Sequence, residues 1–232
     1  QNGLTQHQTH QNNMGAFGGP DIVTDGLVLS LDAGSERSYP GTGTTWYDLS
    51  PTKANWTLPA ASVFSSGTMN YNSNRSRITP PAAWQSTTDL TIEMWYKPIT
   101  GGIYTNCCET IFGRYDFRFF QIGVSLYVMI GFDNGSGTRI YQHPAISVSY
   151  DAYHHIVATR RNNRFIIWID GVERYNTNYG TGLALWDPTE VWDISATGHT
   201  DVDVTIGRIY NRGLSDNEIL QNYNAQKNRF VV

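Results

Sequence analysis

Cysteine is almost absent from this 232-residue chain: there are two, Cys107 and Cys108, and they are neighbours. Ordinary disulfides want Cα atoms roughly 5.5–6 Å apart, so adjacent residues bridge only through a strained ring and no disulfide framework holds this fold. The pair reads as two reduced thiols in a loop, because a metal or redox role would need further ligands nearby. Charge is scarce as well. Charged residues are 16% of the chain, and 16 Lys and Arg against 20 Asp and Glu leave a net charge of −4, which disfavours nucleic acid as a partner. No apolar run approaches the roughly 20 residues of a membrane-crossing helix, so no membrane insertion is expected. No internal repeat marks a propeller or solenoid. Residues 1–20 carry only Leu4, Met14 and Phe17 as large apolar side chains, too few to build a core, and they lack the basic start and apolar stretch of a secretory signal.

What is present is aromatic and punctuated. Aromatics are 13% of the chain, and 22 Gly and 9 Pro are scattered between short apolar runs, the pattern of many strands joined by turns. Leu27, Leu29 and Leu31 alternate with Val28, Ser30 and Asp32, the period of two that marks a strand with one buried face. The strongest strand is Leu90 to Lys97: Leu90, Ile92, Met94 and Tyr96 share one face, and Thr91, Glu93 and Trp95 the other, with Pro98 ending the ladder. Further strands are expected over 63–71, 75–78, 110–113, 118–124, 126–132, 138–142, 154–159, 165–170, 172–175 and 202–208. Asn162-Asn163 suits a tight hairpin because Asn tolerates positive φ, and Asp170-Gly171 makes another turn. Only the end is helical: Ser215 with Glu218 forms a capping box, and Ile219, Leu220 and Tyr223 share one helix face. The expectation is an all-β chain of two packed antiparallel sheets with one short C-terminal helix, divided into an extended arm (1–21), one domain (22–226) and a tail (227–232).

Three segments then carry a resemblance. Leu90 to Pro98, Tyr153 to Thr159 leading into Ile169-Asp170-Gly171, and Ile206 to Ser215, together with Gly26 to Asp32, resemble laminin-G-like or concanavalin A-like jelly-roll domains in order and spacing. The resemblance implies a jelly-roll sandwich. Glu218 to Phe230, and Leu31 to Gly34 with Trp46 to Ser50, are similar to the ends of such domains in structural proteins of tailed bacteriophages. That implies a non-enzymatic virion protein assembled in the host cytoplasm, a capsid decoration or head fibre. It would form homo-oligomers, hold other virion proteins through an arm anchored by Leu4, Met14 and Phe17, and meet host-surface glycan with its outer loops. The alternative is a carbohydrate-binding adhesin of a tail fibre or an extracellular protein; a glycoside hydrolase stands third.

Candidate chemistry follows from these alternatives. Sugars stack on aromatic faces while polar groups hold their hydroxyls, and the stretch 185–193 offers Trp186, Asp187, Trp192 and Asp193. Its competing role is to anchor a long loop on the sandwich. Trp46, Trp95 and Trp168 are expected in or against the core, and Trp56, Trp84, Trp186 and Trp192 in looser segments. Retaining glycosidases need two carboxyls roughly 5–5.5 Å apart; Glu190 and Asp193 fall on opposite strand faces, and Glu93 and Glu109 stand alone. Laminin-G-like relatives often bind calcium, for which Asp133 with Asn134, or Asp201 with Asp203, supply oxygen ligands. His154 and His155 read as structural, since no nucleophile and acid adjoin them in sequence. Arg160, Arg161 and Arg164 read as solvated charges at a hairpin tip.

Overall fold

The computed structural model describes residues 21–60, 62–70, 76–85, 88–100, 110–114, 116–122, 125–133, 139–142, 144–180, 184–185, 189–194 and 202–230. Its strands in chain order are β1 (Leu27–Asp32), β2 (Thr45–Trp46), β3 (Trp56–Thr57), β4 (Val63–Ser65), β5 (Thr68–Asn70), β6 (Ser76–Ile78), β7 (Leu90–Pro98), β8 (Thr110–Arg114) and β9 (Phe117–Ile122). They continue as β10 (Ser125–Asp133), β11 (Arg139–Gln142), β12 (Ala145–Ser147), β13 (His154–Arg161), β14 (Arg164–Ile169), β15 (Val172–Asn178), β16 (Ala184–Leu185), β17 (Trp192–Ile194) and β18 (Val202–Tyr210), and the helix α1 spans Asp216–Gln226.

Two antiparallel sheets stack face to face. The first runs β15-β14-β13-β7-β18-β5-β4, with β1 also pairing β18; the second runs β11-β10-β9-β8-β17-β6, with β12 and β16 also on β10. Between them lies the main core, to which β7 contributes Ile92, Met94 and Tyr96, β9 Phe117 and Phe119, and β10 Leu126, Val128 and Ile130. The other face of the first sheet is covered in part. Helix α1 and residues 22–27 bury Val157, Ile166, Trp168, Tyr210, Leu214 and Ile219 there as a second, smaller core. A strand buried on both faces needs apolar residues at successive positions, which is why β14 reads as a nearly continuous apolar run, Phe165 to Ile169.

The turn chemistry follows the sequence. Asn162 and Asn163 sit at φ 49° and 62°, and Asp170 and Gly171 at 52° and 76°, the paired positive values of a tight antiparallel hairpin. Ser215 caps α1 as expected: its hydroxyl accepts from the Glu218 N–H, and the Glu218 carboxylate accepts from the Ser215 N–H at 2.8 Å.

Three expectations are corrected. Trp56, Trp84 and Trp192 are fully buried rather than loosely placed. Trp84 lies 5.8 Å from Trp192 and 6.3 Å from Trp56 between ring centroids, and the indole N–H groups of Trp56 and Trp84 donate to Ser76 Oγ and the Val28 carbonyl at 2.6 and 2.7 Å, so Trp56 and Trp84 enter the core with their polar atoms satisfied. Residues 227–230 belong to the packed domain, because Phe230 stacks on Trp95 with centroids 4.3 Å apart and Arg229 holds both Asp32 oxygens at 2.7 and 2.9 Å. The arginines of the 160–164 hairpin are not a common solvated patch. Arg160 is buried over the Phe132 ring, Arg161 bonds the Leu214 carbonyl and Asp216 beside the start of α1, and Arg164 bonds Asn176.

Candidate carbohydrate site

Helix α1 covers only part of the outer face of the first sheet. Beside the turn that follows it, toward the β4–β5 hairpin, a polar strip stays open. The register explains its composition: Val63 of β4 pairs with Asn70 of β5, Asn70 with Asp203 of β18, and Asp203 with Lys97 of β7. Residues paired across antiparallel strands point to the same face, so four residues far apart in sequence form one outward row. Their chain neighbours Phe64, Met69, Val204 and Tyr96 point inward to the core.

Within the row, Asp203 accepts from Asn70 Nδ2 at 3.2 Å and from Lys97 Nζ at 2.9 Å. The Asp203 carboxylate holds the Lys97 ammonium above its ordinary range, against a smaller opposing effect of burial. Lys97 also lies 5.3 Å from the Tyr153 ring centroid. With Ser65, Ser66, Thr68 and the exposed Val63, these groups line an open cavity of about 520 Å³. It offers an aromatic ring, an amide, a carboxylate and an ammonium on one rigid face, the combination that grips a sugar's C–H surface and hydroxyls.

A buried ionic group lies under α1 on the same sheet face. Glu93, fully buried, accepts from Arg208 Nη1 at 2.5 Å and from Asn222 Nδ2 at 2.6 Å, with His155 Nε2 at 3.1 Å. Burial pushes its carboxyl upward, but Arg208, His155 and Asn222 outweigh that and lower it to about 2. Asn222 also donates to the Tyr210 hydroxyl at 2.9 Å and accepts from the Val23 N–H at 2.8 Å. Every member is enclosed, so this group ties the helix and the start of the domain to the sheet rather than meeting a ligand.

The structure also joins three residues that their spacing in sequence did not. His154 Nδ1 lies 2.8 Å from Asp170 Oδ2, and His154 Nε2 lies 3.0 Å from Ser149 Oγ. The order acid, histidine, serine is that of a nucleophilic triad, yet the contacts are those of a clamp. Nε2 is also 3.1 Å from the Ser149 carbonyl oxygen, and the second Asp170 oxygen accepts the His155 N–H at 2.8 Å. Burial opposes the charged imidazole, but Asp170 and the Ser149 carbonyl outweigh it and raise its pKa, which favours an imidazolium donating to both over a free base.

Of the residues singled out from sequence, Trp192 faces the core and presents no open ring, so it is no sugar platform. Asp193 is largely buried and held by Arg77 Nε at 2.9 Å. Asp203 lies in the open row, where its carboxylate accepts from Lys97 and Asn70; Asp201, named with it as a calcium ligand, lies outside the described residues. Among the described residues no three His, Cys, Asp or Glu side chains come together as a metal site. Asp133 ends β10. Leu4, Met14, Phe17, Cys107, Cys108, Glu109, Asn134, Trp186, Asp187 and Asp201 lie outside the described residues. Sequence reasoning missed Lys97, Asn70 and Tyr153; the one available signal was that Lys97 continues the outward face of Glu93 and Trp95.

Comparison with known proteins agrees with this architecture. Residues 65–220 match the laminin-G family model described as the concanavalin A-like lectin/glucanases superfamily. No curated protein matches in sequence. Among solved structures, the chain is similar to the ligand binding domain of botulinum neurotoxin serotype D in complex with N-acetylneuraminic acid (TM-score 0.70, 12% identity, 88% of this chain and 52% of that one). It is similar also to the binding domain of Paraclostridial Mosquitocidal Protein 1 (0.67, 15%, 88% and 53%) and to Trypanosoma rangeli sialidase in complex with sialic acid (0.64, 14%, 94% and 36%). The chain thus spans about half the length of the first two and about a third of the sialidase, and at these identities the similarity concerns the fold alone. With two thirds of its length under that family model and both sheets in place, the chain belongs to the concanavalin A-like lectin/glucanases superfamily.

Proposed function

We propose that the protein is a non-catalytic carbohydrate-binding module and that the outward row Asn70–Asp203–Lys97, with the Tyr153 ring beside it, is its sugar site. The observation that carries this reading is the row itself: polar side chains that fix hydroxyls stand on a rigid four-strand surface next to an accessible aromatic ring. Membership in the lectin/glucanases superfamily supports it, as does the likeness in fold to toxin binding domains, one of them in complex with N-acetylneuraminic acid.

A glycan array followed by affinity electrophoresis tests it. Tyr153→Ala and Asn70→Ala should each weaken retention about tenfold, the loss of roughly 1.4 kcal/mol, with an unchanged melting temperature for Asn70→Ala. Retention that is indifferent to both substitutions, or an array without signal, refutes the proposal. Retention that falls with Trp186→Ala instead moves the site to the 185–193 stretch. A place on a phage particle, carried by the resemblance of residues 218–230 and of 31–34 with 46–50, is a separate proposal: deleting residues 1–20 should abolish attachment to capsid particles, and undiminished attachment removes it.

A further inference from the structure

The sugar row opens into a longer track. The first cavity shares Ser66 and Tyr153 as walls with a second of about 360 Å³, which also has Phe230 and Arg229 on its sides. The second shares Gly34 and Gly67 with a third of about 260 Å³, walled by Tyr39 and Phe64, whose ring centroids are 4.9 Å apart, and by the exposed Glu36. Each basin therefore repeats one theme, an aromatic wall with a charged group beside it. Cavities that hold a single small ligand run from about 300 to 1,000 Å³, so the first two are each of single-ligand size.

The saddle between the second and third basins is kept low by glycine. Gly67 has φ 77°, and a Cβ there would come within 3.2 Å of the Gly34 Cα, so a side chain would stand in the track as well as strain the turn. The basic groups along the way are matched, Lys97 with Asp203 and Arg229 with Asp32, and the exposed Glu36 adds a negative charge at the third basin. Paired charges hold hydroxyls well and leave little uncompensated field for an acidic sugar. Three basins opening one into the next suit a chain that passes through.

Building on the glycan-binding reading above, we propose that the track takes an internal stretch of a neutral polysaccharide rather than a single terminal sugar. Calorimetric titration of the full chain with cello-, chito-, malto- and xylo-oligosaccharides of one to six sugars, and with oligogalacturonates as the acidic comparison, tests this. Affinity for the preferred neutral series should rise about tenfold for each further basin engaged, equivalent to burying roughly 60 Å² of apolar surface, and level off once the track is full. Glu36→Trp, which fills the third basin from an exposed position, should lower hexasaccharide affinity about tenfold while leaving disaccharide affinity and melting temperature unchanged. A monosaccharide bound as tightly as the hexasaccharide, preference for the acidic series, or a hexasaccharide indifferent to Glu36→Trp overturns the proposal while leaving glycan binding intact. Absence of binding at every length overturns the underlying reading with it.

Discussion

Replacing Asn222 by Ala tests how the helix is held to the sheet. The Asn222 side chain is fully buried and makes three hydrogen bonds, to Glu93, Tyr210 and the Val23 N–H, at 2.6, 2.9 and 2.8 Å. The truncation leaves the Val23 N–H without its partner and removes one donor from a buried carboxylate. The Tyr210 hydroxyl keeps its bond to the Val23 carbonyl at 3.2 Å. Each buried polar group left unpaired costs about 1–3 kcal/mol, more for a charged one, and the losses share one network and do not simply add. A total of about 3 kcal/mol is expected, a fall in melting temperature of about 6–12 °C for a domain of this size. Urea unfolding followed by fluorescence at pH 7 measures it. The same network makes a pH prediction. The Glu93 carboxyl is near 2 when folded against an ordinary 4.5, so its contribution is complete above about pH 4.5 and is lost as pH falls toward 2. That contribution amounts to about 3 kcal/mol. In Glu93→Gln this part of the acid dependence should vanish, and the variant should be destabilised at pH 7 by about 3–5 kcal/mol, because Arg208 then lacks its buried partner. An Asn222→Ala loss below about 1 kcal/mol, with an unaltered acid limb in Glu93→Gln, would refute the reasoning.

The His154 clamp predicts the opposite pH direction: its pKa is raised in the fold, so its stabilisation is complete below about pH 6.5 and fades as pH rises through the higher folded value. The urea midpoint of the wild type should decline across that interval, and the part due to the clamp should be missing from Asp170→Asn. Trp192→Ala should cost about 3–5 kcal/mol as a core cavity, while Trp192→Phe should retain glycan as the wild type does; a specific loss of retention in the Phe variant would show that the ring serves the ligand after all.

Much of the frame was legible in the sequence because it depends on local periods and local bonds. The alternation in Leu90 to Lys97 assigned Ile92, Met94 and Tyr96 to one side and Thr91, Glu93 and Trp95 to the other, and the structure puts the first set in the sandwich core and Trp95 beneath Tyr223 and Phe230. The Asn162-Asn163 turn and the Ser215–Glu218 cap rest on backbone preferences within four residues and were equally readable. Tryptophan placement was not: Trp56, Trp84 and Trp192 come from short strands or turns whose period is too brief to show a face, and only the packing of three rings against one another makes them core. The site was the least readable part. Lys97, Asn70, Asp203 and Tyr153 meet because β7, β18 and β5 pair in one register and the C-terminal turn stops short of them. Period-two patterning by itself determined which side of each strand is polar; which polar sides adjoin, and which stay uncovered, is decided by long-range pairing and by where the helix lands, and no local preference encodes either.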